Sequence, residues 1–151
     1  MSIRERVRQV FLKAQSSYTL VEAAELLGWR DEEMRRAVAE GDVEAERTCS
    51  GFGIAWQEVA AMITAQYPQH LIEQSLGNDA SAVMPELVRL AELRVCIPRY
   101  QAAMLSSLAA RERISVDELL AKHFLDLAGA EIAWLKQAIP QFEMAMRWPE
   151  A

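Results

Sequence analysis

The feature that most constrains this chain is one short segment with a two-residue repeat, ELRVCIP at 92–98. Three apolar residues alternate there with three polar ones: Leu93, Val95 and Ile97 against Glu92, Arg94 and Cys96. This is the pattern of a β-strand with one apolar face, and no second strand is predicted in the same domain to pair with it. A lone strand leaves its amides and carbonyls without hydrogen bonds. The sequence therefore predicts a homodimer, in which two copies pair these strands antiparallel across a two-fold axis.

Helical patterns surround this strand. Pro98 ends the strand, and a helix is predicted over 99–112. Ser115 with Glu118 has the spacing of a capping box, which predicts the start of the next helix. The tail after that helix is apolar and aromatic, and it is expected to be helical to about Ala138.

The first half of the chain predicts helices at 3–15, 20–27, 32–40 and 57–65, with a hairpin of two strands at 43–49 and 52–55. Thr19 with Glu22 forms another capping box, and Asp31 is the expected cap of the third helix. Gly28 and Gly41 are the expected ends of the second and third helices.

The best candidate for a linker is the stretch SLGNDASAVMP, which is rich in small and turn-forming residues. It divides the chain into four predicted parts: a first domain over 1–67, a linker over 68–85, a second domain over 86–128 and a C-terminal helical tail over 129–151.

Composition limits the classes of function. The chain is 52% hydrophobic, so it carries enough apolar material for a folded core. It contains no apolar run of the roughly 18 residues that a membrane span needs. The two cysteines and two histidines have no zinc spacing, and the sequence contains no motif of a catalytic nucleophile or phosphate loop. We therefore expect a cytoplasmic protein that is not an enzyme, with no catalytic residue, metal or cofactor.

The charge distribution is uneven on a local scale. The net charge of −6 opposes a general coat for nucleic acid, which needs a strong positive field. One stretch nevertheless concentrates arginines, with only Glu92 and Glu112 among them: Arg89, Arg94, Arg99, Arg111 and Arg113. This stretch is where a sequence-specific contact with DNA is expected.

The order of strand, Pro, helix, turn and Ser-capped helix over residues 92–128 resembles the ribbon-helix-helix (Arc/MetJ-like) family. The resemblance implies that the paired strands enter the major groove and that the outward residues read bases. By position, these residues are Glu92, Arg94 and Cys96.

The same resemblance implies a phosphate contact at the amino terminus of the second helix, at Ser115 and Val116. We expect Arg99 or Arg113 to contact phosphate as well. Arg113 also stands where the family commonly has a glycine between its helices, a departure that affects the turn rather than the fold.

Three stretches between Tyr18 and Ile63 resemble the MerR/excisionase type of winged helix-turn-helix: YTLVEAAELLGW, EEMRRAVAEGDV and FGIAWQEVAAMI. The resemblance implies that the second helix enters the major groove, with Arg35 and Arg36 as its DNA-binding residues. The start of this helix is acidic, however, and phosphate would repel it. Whether the first domain contacts DNA is left open.

The predicted fold is mainly α, a small winged helix-turn-helix domain followed by a ribbon-helix-helix dimerisation domain. The predicted function is a homodimeric, sequence-specific DNA-binding regulator of transcription that binds double-stranded DNA. The resemblance implies one particular form, an autoregulating antitoxin with a toxin as partner. The alternative is a protein-interaction adaptor whose winged helix docks a protein instead of DNA. Trp134, Phe142 and Trp148 in the tail are either a partner-binding face or an intramolecular lid over the dimer core.

Overall fold

The computed structural model describes residues 1–48 and 51–149. The chain is mainly helical, with a small three-stranded antiparallel sheet. It divides into two compact units, of which the first is residues 1–90 together with the tail from 144 onwards. The second unit is residues 91–143, so in chain order it is an insertion in the first.

The first unit carries the sheet and most of the buried core. Its elements in chain order are α1 (Ile3–Leu12), β1 (Ser17–Thr19), α2 (Leu20–Leu27), α3 (Asp31–Glu40), β2 (Glu46–Thr48), β3 (Gly51–Ala55), α4 (Trp56–Gln66), α5 (Gln69–Leu76) and α6 (Ala80–Val83). Two short 3₁₀ turns, Gly77–Asp79 and Glu86–Val88, flank α6.

The sheet has the strand order β1-β3-β2, and both pairings are antiparallel. The hairpin of β2 and β3 agrees with the prediction, although Cys49 lies outside the described residues. β1 was not predicted, because three residues are too few to show a two-residue repeat. It is held by long-range pairing that puts Tyr18 opposite Ile54, and both side chains are buried.

The predicted caps of α2 are confirmed. The Thr19 hydroxyl accepts a hydrogen bond from the Glu22 amide at 3.3 Å, and the Glu22 carboxylate accepts one from the Thr19 amide at 2.8 Å. The bond from the Thr19 amide, followed by one that the Thr19 hydroxyl donates to the same carboxylate at 2.8 Å, lowers the pKa of Glu22. Gly28 ends α2 in the left-handed region, and Gly41 ends α3 in the same way.

The predicted cap of α3 needs a correction. Asp31 is the first helical residue, and Arg30 occupies the cap position. Glu33 accepts from both the Arg30 amide and the Arg30 guanidinium, which explains why a residue without a capping oxygen is tolerated there. α1 also ends at Leu12, three residues before its predicted end.

The segment predicted as a linker is folded into the first unit. Residues 69–76 form α5, which packs on α1, and Ile72 and Leu76 are fully buried. Ala80 and Met84, farther along the same segment, are also buried in this core. The small and polar residues of this stretch are therefore turn and helix-end residues of a folded segment. A first domain that ended at residue 67 would lose these core side chains.

The tail after residue 143 returns to the first unit. The Trp148 ring stacks on the Phe11 ring, with centroids 5.1 Å apart and an interplanar angle of 16°. Trp56 meets the same phenyl ring edge-on at 6.2 Å, and its indole N–H donates to the Val10 carbonyl at 2.7 Å. Trp148 therefore packs within the first unit, on α1, and not over a dimer core as the predicted lid would.

The second unit contains α7 (Arg99–Glu112), α8 (Val116–Ala130) and α9 (Ile132–Ala138). A last helix, α10 (Phe142–Met146), spans the point where the second unit ends in the chain. The predicted helix at 99–112 and the start of the next at Val116 are confirmed. Residues 92–97, predicted as a strand, lie in neither a helix nor a strand in this single chain. The pairing with a second copy remains a prediction.

Gly28 provides a test of the turn between α2 and α3. Its φ is +73°, and an added Cβ would come within 2.6 Å of the Arg6 guanidinium carbon. Gly41 is a matched control, because its φ is +83° but nothing lies within 4 Å of the corresponding Cβ. Both Gly→Ala changes should lower the free energy of unfolding by about 1 kcal/mol through backbone strain.

Gly28→Ala should cost about 1 kcal/mol more than Gly41→Ala, because Arg6 must leave its 3.2 Å hydrogen bond to the Tyr67 hydroxyl. Urea denaturation followed by tryptophan fluorescence measures both values. Equal costs, or an excess that persists in an Arg6→Ala background, would contradict this account of the turn.

Candidate nucleic-acid interface

The centre of the candidate interface is the extended segment before α7. Every residue from 91 to 100 is exposed, including both the apolar and the polar residues of the alternating stretch. Leu93 is 75% exposed and Val95 is 61% exposed. Within the described chain, no backbone group of residues 91–97 forms a hydrogen bond to another residue. The segment therefore has unpaired backbone groups and exposed apolar side chains at the same place.

Most hydrophobic side chains in the rest of the second unit are also not buried. All of residues 91–143 are described, and only Ala109 and Leu119 among their hydrophobic side chains are buried. Eight other large hydrophobic residues are exposed: Leu93, Val95, Ile97, Tyr100, Met104, Phe124, Leu125 and Leu127, with Trp134 beyond them on α9. Burial of apolar surface is the main favourable term in folding, so a unit of this size needs a partner surface.

The turn between α7 and α8 has a backbone shape that favours glycine. Arg113 follows α7 with φ 60° and ψ 36°, in the left-handed region. The Ile114 amide donates to the Ala109 carbonyl at 3.1 Å, and the Arg113 amide donates to the Ala110 carbonyl at 3.3 Å. These two bonds form a Schellman motif, for which glycine is the usual residue. The arginine at this position thus carries a local conformational cost.

The amino terminus of α8 is a partly occupied hydrogen-bonding site. The Ser115 hydroxyl accepts from the Glu118 amide at 3.1 Å, and the Ser115 amide donates to the Glu118 carboxylate at 2.7 Å. The amides of Val116 and Asp117 make no hydrogen bond within the described chain. Two free amides at a helix amino terminus can bind a phosphate oxygen, although Asp117 places a negative charge beside them.

The charges of this region are largely uncompensated. Arg94, Arg99, Arg111 and Arg113 are exposed and form no ion pair with any described residue. Glu112 is paired with Lys122 on α8, at 3.2 Å, so it does not neutralise the arginines. Glu92 is the one acidic residue of the extended segment, and it is exposed. The segment and the helix after it therefore form a positive surface on an acidic protein.

The two predicted DNA-binding residues of α3 lie in a different setting. Arg35 and Arg36 are exposed, and neither forms an ion pair with Glu32 or Glu40 within the described part of the chain. The surrounding exposed residues are mostly acidic, as they are on the hairpin that follows: Asp31, Glu32, Glu40, Glu44 and Glu46, against Arg47. Coulomb repulsion from phosphate opposes the docking of this face on DNA.

A local ion pair further shapes the acidic start of α3. Arg30 donates to Glu33 at 2.7 Å, and this hydrogen bond is the main reason that the pKa of Glu33 is lowered. The charge of Arg36 contributes to the same shift to a smaller extent. Glu33 is therefore held in its ionised form, and Arg30 is engaged within the protein.

The predicted site residues thus fall into two groups. Glu92, Arg94, Cys96 and Arg99 are neighbours on one exposed segment, while Ser115 and Val116 lie on the same unit at the start of α8. Arg35 and Arg36 belong to the first unit. No described group of three or more His, Cys, Asp or Glu residues could hold a metal ion. None of the described helices is both long and apolar enough to cross a membrane.

Sequence reasoning named Trp134 as part of a partner-binding face or lid but missed the exposed Phe124 and Leu127 on α8, which line the same groove. Phe124, Leu127 and Trp134 are all more than half exposed. The three- and four-residue spacing of the apolar side chains of α8 was available as a signal. It indicates a helix with an apolar side without saying whether that side is covered.

No protein-family model, curated protein or solved structure matches this chain.

Arg113 provides a stability test of the turn. Arg113→Gly should raise the free energy of unfolding of the second unit by about 1 kcal/mol, because glycine adopts a φ of 60° without a Cβ penalty. Arg113→Lys, which keeps the Cβ and the charge, should leave it unchanged. Thermal denaturation at one fixed protein concentration measures both. A glycine variant no more stable than the lysine variant would contradict the assigned turn.

Proposed function

We propose that this protein is a homodimeric, sequence-specific DNA-binding regulator of transcription, and that its second unit is the main DNA-binding element. The observation that carries the proposal is the exposed segment 91–97, which has unpaired backbone groups and an uncovered apolar side. A second copy satisfies both at once. Two such segments pair antiparallel, and their apolar sides join the helices of both copies in one core.

This pairing sorts the side chains of the segment by face. Successive residues of a strand point to opposite sides, so the apolar set faces the shared core. Glu92, Arg94 and Cys96 then face outward from a two-stranded ribbon. The major groove of B-DNA admits such a ribbon, and an arginine at its face can bond guanine with two hydrogen bonds. The proposed base reader is Arg94.

The groups around the ribbon are suited to contacts with phosphate. Arg99 at the start of α7 and Arg113 at its end are exposed and without ion pairs in the described chain. The two free amides at the start of α8 add a further anion site. These contacts supply affinity and orientation on the duplex, whereas the outward face of the ribbon supplies specificity.

A second candidate function is a protein-interaction adaptor, in which the first unit docks a protein partner. The observation that favours it is the acidic surface around Arg35 and Arg36 on α3. The two candidates differ in their response to salt, because neutralising phosphates makes DNA affinity fall steeply with ionic strength. A wild-type protein that binds neither its own promoter nor random DNA at low salt would favour the adaptor.

Substitutions in the full chain test which unit reads DNA. Arg94→Ala should cost about 1–3 kcal/mol on the cognate site and relax specificity at one position per half-site. The double variant Arg35→Ala/Arg36→Ala, the matched control on α3, should weaken binding by much less. Arg99→Ala should weaken cognate and random DNA alike and flatten the salt slope. Anisotropy titrations at several salt concentrations measure these affinities. If Arg94→Ala lowered the affinity for cognate and random DNA equally, Arg94 would not be a base reader.

The proposed ribbon is tested through Val95. Val95→Pro removes an amide donor and an apolar side chain from the middle of the segment. The variant should become monomeric, lose the ordered second unit and stop binding DNA. The first unit should remain folded, because its buried core is made of its own residues. Sedimentation with near-UV circular dichroism measures both effects.

The neighbouring residue provides the control for the faces of the ribbon. Val95→Asp places a charge on the inner face and should also abolish the dimer, whereas Cys96→Asp places it on the outer face and should not. A wild-type monomer at micromolar concentration would refute the ribbon. So would dissociation of the dimer by Cys96→Asp but not by Val95→Asp.

A further inference from the structure

An apolar groove lies on the second unit, away from the extended segment in the sequence. Its volume is about 280 Å³, and it is lined by residues of α8, α9 and the start of α10: Phe124, Leu127, Ala128, Glu131, Trp134, Leu135 and Phe142. Leu135 and Phe142 are partly buried, whereas Phe124 is 53%, Leu127 59% and Trp134 63% exposed. Exposed aromatic and aliphatic side chains gathered around a groove mark an interaction site.

The groove uses a side of α8 that is separate from its packing on α7. Leu119 is buried, and Lys122 pairs with Glu112 of α7, so these residues mark the side that faces α7. The groove residues Phe124, Leu127 and Glu131 follow one another at three- and four-residue spacing. With about 100° of rotation per residue, this spacing places them along a different side of the helix from Leu119 and Lys122. Cover for the groove therefore has to come from outside this helix pair.

The charge at the groove is negative. Glu131 is the charged residue in its lining, and it is exposed with no ion pair to any described residue. Both nearby lysines are already engaged, Lys122 with Glu112 at 3.2 Å and Lys136 with Glu143 at 2.8 Å. The groove thus combines aromatic walls with an uncompensated carboxylate and no free cation in its lining.

We propose that this groove binds an amphipathic helix of another protein, with large apolar side chains at three- and four-residue spacing and a Lys or Arg beside them that pairs with Glu131. The shape and the charge support this choice. A groove between helices accepts the apolar ridge of a third helix, and the free carboxylate selects a basic flank. This inference goes beyond the proposed DNA-binding function, and only the preference for another protein over a second copy rests on the proposed dimer.

A second copy of this chain is the competing occupant. Its exposed apolar helix residues near basic ones include Tyr100 and Met104 on α7, which follow Arg99, and Ile3 on α1, which precedes Arg4. In the proposed dimer Tyr100 and Met104 adjoin the ribbon, where they are needed to complete the shared core. The test therefore includes the oligomeric state of each groove variant.

The experiment selects displayed peptides on the immobilised full-length protein. The library has 16-residue helical peptides with randomised positions, and peptides that also bind Trp134→Ala are removed. The expected consensus has apolar residues at i, i+3 or i+4 and i+7, with Lys or Arg beside them. A fluorescein-labelled peptide from this selection is then titrated by anisotropy against variants of the full chain.

Two variants on the groove are compared with two matched controls on the same helix region. Trp134→Ala should weaken peptide binding by about tenfold or more, as expected for a central aromatic side chain. Leu125→Ala, equally exposed on α8 but outside the groove, should change it by less than about twofold. Glu131→Lys should reverse the preference from a Lys-flanked to a Glu-flanked peptide, while Asp126→Lys should not.

Three results would overturn the proposal. The first is a selection in which no peptide distinguishes the wild type from Trp134→Ala, and the second is a consensus without basic residues. The third is a Trp134→Ala protein whose oligomer has a lower mass than the wild-type oligomer. This result would mean that a second copy of the chain occupies the groove. DNA binding by Trp134→Ala should remain at the wild-type level, so failure of the groove and failure of the DNA-binding proposal are distinguishable.

Discussion

The hydrogen bonds that residues 91–97 lack within one chain are the constraint on which the second unit depends. Backbone amides and carbonyls need partners when they leave water, and apolar side chains need cover. Here both needs arise on the same seven-residue segment, and α7 and α8 bury only Ala109 and Leu119 between them. Proposed dimerisation is thus a condition for an ordered core. In the proposed function, it would also let a DNA-reading surface form from two short strands rather than from one helix.

The two units differ in the charges that surround their exposed arginines. On α3, the arginines are surrounded by free carboxylates, and Arg30 is held by Glu33. On the extended segment and α7, the arginines are free and the neighbouring Glu112 is held by Lys122. Attraction to phosphate depends on the charges that remain unpaired, so the overall net charge of −6 says little about the face that is proposed to contact DNA.

The first unit is closed by residues from both ends of the chain. Phe11 near the start stacks on Trp148 near the end, and α5 fills the space beside α1. The arrangement makes the second unit an insertion whose two connections both leave from one folded body. A variant in the tail will therefore affect the stability of the first unit, even though the tail follows the second unit in the sequence.

The sequence by itself determined the features that depend on residues within one turn. The capping pairs Thr19–Glu22 and Ser115–Glu118, and the helix ends at Gly28 and Gly41, follow from hydrogen bonds and backbone angles over three to five residues. The alternation at 92–97 likewise showed that one side of this segment is apolar. A local pattern suffices wherever the partner atoms are only a few residues away.

Only the tertiary structure decided which of these patterns are covered. Turn-forming residues in 75–85 indicated a linker, yet Ala80 and Met84 are core side chains because α1 lies beside them. β1 exists through its pairing with β3, and Trp148 differs from the equally aromatic Trp134 because Phe11 is there to stack on it. Burial depends on contacts with residues that are far away in the chain, and neither composition nor local spacing shows which distant residues come into contact.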